Sequence, residues 1–190
     1  MNEIRQVILD MPKHIVDAVS IVKDFRVDGL INSVVITGMG GSAIAGDIMK
    51  SYLSDLRDLR VEVNRGYKLP VWVDENTLVI VCSYSGNTEE TISCYKDAIR
   101  KKSKVLGIAT GGKIKDMFNK NNHPLLILPK GMQPRNAICY LFFTSLKVLE
   151  NSQLIPKQTT FIKDTIKAEL IKPYGDVGSK KTAKYIPFWA

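Results

Sequence analysis

An α/β fold with a parallel sheet covered by helices on both faces, a three-layer αβα sandwich, is what this 190-residue sequence predicts. Three observations carry that expectation. Short, nearly unbroken runs of Val, Ile and Leu recur along the chain, as strands buried on both faces require. The runs alternate with stretches whose apolar residues fall at helical spacing. Two of them end in loops rich in glycine and hydroxyl side chains that open directly into a helix.

The elements follow in order. Residues 1–31 read as helical, with Ile4, Val7, Ile8, Ile15, Val19 and Val22 at three- and four-residue steps. Pro12 divides this stretch into a short piece and a longer one. Val34 to Thr37 is a buried strand, and Ser42 to Leu53 an amphipathic helix behind the first loop. Val61 to Val63 is a short strand; Gly66 to Val73, with Pro70, is a loop. Leu78 to Cys82 is the most apolar strand, and a helix from Thr88 to about Lys101 follows it. Lys104 to Ala109 is a strand ending at Gly111-Gly112, then come a short helix through Met117 and a strand at Leu125 to Leu128. Pro134 opens a helix that runs to about Glu150, and Thr160 to Leu170 is one more. Lys172-Pro173-Tyr174-Gly175 is a break, and Ile186 to Trp189 is abruptly apolar.

The length suits one complete core with a short appendage. The formal charge of +8 is spread thinly; after Ile155 seven lysines face three acids. Arginines and aromatics are not interleaved on one surface, so the charge does not point to nucleic acid, although it would attract an anionic metabolite. Cys82, Cys94 and Cys139 have no C-x-x-C pairing and no histidine at ligand spacing, which argues against a zinc site and fits a reducing compartment. Cys82 and Cys139 read as core residues. The N-terminus has no apolar signal core, and Ala137 to Leu149 is too short and interrupted to span a bilayer. A cytoplasmic protein with no membrane partner is expected.

The chemistry lies in the two loops. In Ser83-Tyr84-Ser85-Gly86-Asn87-Thr88, three hydroxyls surround a glycine whose backbone a ligand can approach, in front of a helix dipole. That is a cradle for a phosphate dianion. A plain helix cap by Thr88 would use one hydroxyl and leave the serines without a role. The first loop, Gly38-Met39-Gly40-Gly41-Ser42, is less specific. Gly38-x-Gly40-x-x-Ala43 matches a dinucleotide fingerprint, with Glu62 near the place of a ribose-binding acid. Gly40, Gly41 and Ser42 serve a phosphosugar equally well, and the serine-rich second loop favours the sugar. No Lys-[Ser/Thr] follows, so the loop is not a Walker motif.

Gly38 to Asp47, Ser83 to Thr91 and Gln133-Pro134-Arg135 together resemble the N-terminal sugar isomerase (SIS) domain of the bifunctional phosphoglucose/phosphomannose isomerases, over roughly the first 150 residues. The resemblance implies a five-stranded parallel sheet, two such domains per subunit, homodimers and no cofactor. It implies that Ser42, Ser83, Ser85 and Thr88 touch the substrate phosphate, with Gly40 and Gly41 beside them, and that Arg135 assists catalysis next to the reacting carbons. The reaction moves a proton between C1 and C2 through an enediolate. It needs a carboxylate base, a ring-opening acid–base group, and a cation for the oxyanion, which Arg135 suits.

The family's glutamate base, histidine and late lysine lie in the second domain and match nothing here. His14 and His123 read as helix and loop residues, and Glu150 and Glu169 are unsupported as bases. Residues 1–150 are therefore expected to form a phosphosugar-binding domain, and 151–190 an extension or the start of a linker to a second SIS domain. Such an isolated half is expected to turn over weakly or not at all. A non-catalytic phosphosugar-binding module is the alternative.

Overall fold

The structure, a computed structural model, describes residues 3–54, 56 and 59–170. Its sheet contains β1 (Ser33–Thr37), β2 (Arg60–Asn64), β3 (Thr77–Ser83), β4 (Lys104–Ala109) and β5 (Leu125–Ile127). All pairings are parallel, in the order β2-β1-β3-β4-β5. The helices are α1 (Glu3–Leu9), α2 (Met11–Val22), α3 (Gly41–Ser54), α4 (Glu89–Arg100), α5 (Gly112–Lys120), α6 (Ile138–Asn151) and α7 (Thr159–Leu170). The five-stranded, three-layer α/β sandwich is as the sequence implied.

Every residue of β1 and β3 is buried. Val34, Ile36, Leu78, Ile80 and Cys82 face one core with residues of α2, α3, α6 and α7. Val35, Val79 and Val81 face the other, with Cys94 and Tyr95 of α4 and Ile114 and Phe118 of α5. Central strands apolar on both faces cannot alternate in hydropathy, so they stand out as continuous runs. Tyr95 and Phe118 stack at 4.2 Å in the second core. Cys82 and Cys139 are buried, and burial pushes the Cys82 thiol up to about 12. Cys94 also faces inward, its thiol donating to the Gly66 carbonyl and accepting from Asn64 Nδ2, both at 3.0 Å.

The helix expected over residues 1–31 ends early. Its break falls at Asp10, with Pro12 in the first turn of α2, where a missing N–H costs nothing. α2 stops at Val22, and Lys23 takes a left-handed φ of 48°. The cause lies far along the chain: Asn151 donates to the carbonyls of Lys23 and Phe25, and the Val27 N–H donates to Ser152 Oγ. Those bonds replace the helical ladder.

α7 packs on α2. Its Phe161 meets Tyr52 and Phe143, and the Gln158 side chain accepts from the Tyr52 hydroxyl. Residues 151–170 thereby share the core of the sandwich. The break at Lys172–Gly175 and the apolar segment Ile186–Trp189 lie outside the described residues. Among the described residues no helix is long and apolar enough to cross a membrane.

Burial holds His14 and His123 below the ordinary histidine value of 6.5, in His14 against the opposing pull of Asp10 and Asp17. Just below pH 6.5 the folded chain therefore binds fewer protons than the unfolded one, and stability falls as pH drops. The thermal midpoint should be lower at about pH 5.5 than at about pH 7, and the slope flatter in a His14→Asn/His123→Asn variant. Parallel curves for the two proteins would contradict this.

Candidate functional site

The strand order reverses between β1 and β3, with β2 outside the first and β4 and β5 outside the second. Connections leaving the carboxyl ends of β1 and β3 diverge there and open a crevice, the usual ligand position in such sheets. They are the two glycine loops, 38–42 and 83–88.

Ser83 is the last residue of β3 and is buried, so the strand fixes its side chain. Its Oγ lies 2.9 Å from Thr88 Oγ1 and accepts the Gly86 N–H at 3.1 Å. Thr88 is the N-cap of α4 but makes no side-chain cap bond. Its hydroxyl is engaged across the loop with Ser83, not along the helix. In such a pair one hydroxyl donates to the other, leaving one proton to give. Ser85 is exposed, and its Oγ accepts the Asn87 N–H at 3.3 Å. Glu89 and Glu90 occupy the first turn of α4, where the dipole favours them.

Gly40 has φ 52° and opens on space, with nothing within 4 Å of a Cβ placed there. Gly41 is packed differently. A Cβ on it would lie 2.8 Å from the Pro134 carbonyl oxygen and 3.0 Å from Arg135 Cα. Gly40, the glycine that a dinucleotide fingerprint keeps for the pyrophosphate, is thus the open one, whereas the approach at Gly41 is filled by the chain itself. Ser42, in the first turn of α3, is buried, and its Oγ accepts the Tyr84 N–H at 3.4 Å. Ser42, Ser83 and Thr88 thus meet around one loop, and the backbone of Arg135 is held beside that loop through Gly41. Arg135 stands on a 3-10 turn, Pro134–Ala137, that precedes α6, and not inside the helix as its sequence position suggested. It is exposed, and among the described residues no carboxylate pairs with it.

Gly86, which the sequence offered as open to a ligand, has φ 72° and lies so close to the loop after β4 that an added Cβ would sit 1.7 Å from the Gly111 carbonyl oxygen, so the chain itself takes up that approach. Sequence reasoning passed over Asn87 and Tyr84, which also hold the loops together. Asn87 Oδ1 accepts the Lys113 N–H at 3.0 Å. Tyr84 is 6% exposed, and its carbonyl accepts from the Thr110 N–H and hydroxyl. The signal available was a large aromatic residue set among small polar ones.

Other candidates have separate partners. Glu62 pairs with Lys50 at 3.3 Å, and His123 Nδ1 meets the Tyr95 hydroxyl at 2.8 Å. His14 lines a hollow of about 230 Å³ with Gln6, Asp10, Gly131, Met132 and Asn136.

The glycines predict a contrast. Gly86→Ala combines a left-handed backbone with a clash against backbone and should cost about 3 kcal/mol or more. Gly40→Ala, with open space around it, should cost only the conformational strain of about 1–2 kcal/mol. Urea denaturation of the two variants checks the order, and equal losses would contradict it.

The SIS domain family matches residues 31–150. Over 163 residues the chain is 42% identical to the bifunctional phosphoglucose/phosphomannose isomerase of Caldicellulosiruptor bescii, covering 84% of this chain and 48% of that protein. Over 118 residues it is 41% identical to the D-glucosamine-6-phosphate 4-epimerase of Sulfolobus acidocaldarius, covering 60% of this chain and 36% of that one. The chain therefore spans about half, or less, of the curated relatives it matches. Its fold is also that of the C-terminal domain of glucosamine-fructose-6-phosphate aminotransferase from Francisella tularensis, with TM-score 0.66, 13% identity, and 89% of this chain and 54% of that one covered. With the family matched across the whole sheet and the glycine loops at its switch point, this chain belongs to the SIS domain family.

Proposed function

We propose that this chain is the N-terminal half of an aldose–ketose isomerase that interconverts glucose 6-phosphate and mannose 6-phosphate with fructose 6-phosphate. Its part is to hold the phosphoryl group. The observation that carries the reading is the Ser83–Thr88 hydroxyl pair at the mouth of α4, set at the point where the strand order reverses. Ser85, Ser42 and the Ser83–Thr88 pair, through its one remaining proton, donate to the phosphoryl oxygens. Gly40 leaves room for them, Gly41 instead lets the Arg135 segment lie close, and the orphan N–H groups of α4 add the helix field. Arg135 lies beside the sugar's reacting carbons and balances the charge of the enediolate. A carboxylate removes the C2 proton of the aldose and returns it to C1; that base, the ring-opening histidine and a late lysine come from the second half.

The kinship with a 4-epimerase supports this division. That relative and the isomerases are all named for a phosphorylated hexose. What this chain shares with both fits the phosphate that both kinds of substrate carry better than the differing carbons. Residues 1–150 are the phosphosugar-binding domain in this reading, and 151–190 lead toward the second half, beginning with α7 on the domain's own surface. A cytoplasmic homodimer without a cofactor completes it.

Fructose 6-phosphate should raise the thermal midpoint of the chain, and NAD should not. Stabilisation by NAD alone would overturn the reading in favour of the dinucleotide fingerprint. Ser85→Ala should lower fructose 6-phosphate affinity by about 1.5–3 kcal/mol, the worth of a hydrogen bond to a charged group. Because Ser85 is exposed, stability should change by less than about 0.5 kcal/mol. Calorimetric titration reads the first and urea denaturation the second; undiminished affinity would remove Ser85 from the site.

A further inference from the structure

The segment from Pro129 to Gln133, between β5 and the 3-10 turn, has no regular secondary structure, yet it carries Arg135 to its place. Two groups hold it from below. At its far end the backbone of Pro134 and Arg135 rests on Gly41. In its middle the Tyr84 hydroxyl donates to the Pro129 carbonyl at 2.8 Å and accepts the Met132 N–H at 3.1 Å. The same tyrosine joins both glycine loops through its backbone. Its N–H donates to Ser42 Oγ, and its carbonyl accepts from the Thr110 N–H at 3.1 Å and hydroxyl at 2.7 Å. One residue of the hydroxyl loop is thereby bonded to three other loops at the carboxyl edge of the sheet. A loop this short-ranged in its own contacts takes its shape from such outside bonds.

We infer that Tyr84 is a positioning residue that sets Arg135 against the sugar through its phenolic hydroxyl. The inference rests on the phosphosugar reading and adds a separate claim to it. The hydroxyl's two bonds serve the Arg135 segment alone, whereas the backbone bonds of Tyr84 serve the phosphate loops. Removing the hydroxyl should therefore loosen the arginine and leave the phosphate cradle intact.

Two probes separate those effects. 5-Phosphoarabinonate carries a carboxylate where an enediolate would carry its charge, and arabinitol 5-phosphate is the same chain without it. Calorimetric titration of the 190-residue chain should show a preference for the carboxylate, and Arg135→Met should abolish it. Tyr84→Phe keeps the buried ring. It should shrink the preference about five- to tenfold, while arabinitol 5-phosphate affinity stays within about twofold. Combining Tyr84→Phe with Arg135→Met should cost no more preference than Arg135→Met alone, because the tyrosine acts through the arginine.

Several outcomes overturn the inference. A Tyr84→Phe variant with full preference shows that the hydroxyl does not place the arginine. An equal loss for both probes shows that Tyr84 only supports the fold, since a structural defect would not distinguish them. If the parent shows no preference and Arg135→Met changes nothing, the role of Arg135 fails first and Tyr84's with it. If neither probe binds the parent, the phosphosugar reading itself falls.

Discussion

Backbone presses directly on backbone beneath the candidate site, and the arrangement above depends on those contacts. Gly86 lies against Gly111, and Gly41 against Pro134 and Arg135, at separations that leave no room for a Cβ. Four connections from four different strands are drawn into one cluster this way. Glycine makes the approach possible at a conformational cost. Hydrogen bonds between the loops offset it: Ser42 to Tyr84, Tyr84 to Thr110, Asn87 to Lys113 and Gly86 to Ile114. The hydroxyls of Ser83 and Thr88 sit in this cluster because β3 ends and α4 begins there.

The parts of this picture that were legible in the sequence are those decided by burial. β1 and β3 are covered on both faces, so their apolar runs could be read without a partner, and the loops at their ends could be placed. What was not legible depends on groups distant in sequence. Nothing local ends α2 at Val22; Asn151 and Ser152 do so from the far end of α6. Thr88 satisfies the local rule for an N-cap, yet its hydroxyl meets Ser83 instead. Arg135 follows a proline that should open a helix, and packing against Gly41 accompanies a tighter 3-10 turn. Cys94 could be assigned to neither helix face until Asn64 and Gly66 were seen to close on it.

The proposed division of chemistry between two halves is consistent with the same geometry. Hydroxyls, backbone amides and a helix end form a site suited to an anion, and Arg135 adds one exposed cation beside it. Those groups bind and stabilise charge. They do not take a proton from carbon, which needs a carboxylate of suitable basicity. In the proposed reading, a half that holds phosphate could be joined to different reacting groups, which agrees with the likeness of this chain to both an isomerase and a 4-epimerase.

The central claim is that the switch-point loops grip a sugar phosphate, and a crystal structure of the chain with fructose 6-phosphate tests it most directly. The account predicts the phosphoryl group at the amino end of α4, within hydrogen-bonding distance of Ser83, Ser85 and Thr88, with the sugar extending toward Arg135. A phosphoryl group seated instead in the hollow beside His14, Asp10 and Asn136, with those hydroxyls untouched, would contradict it.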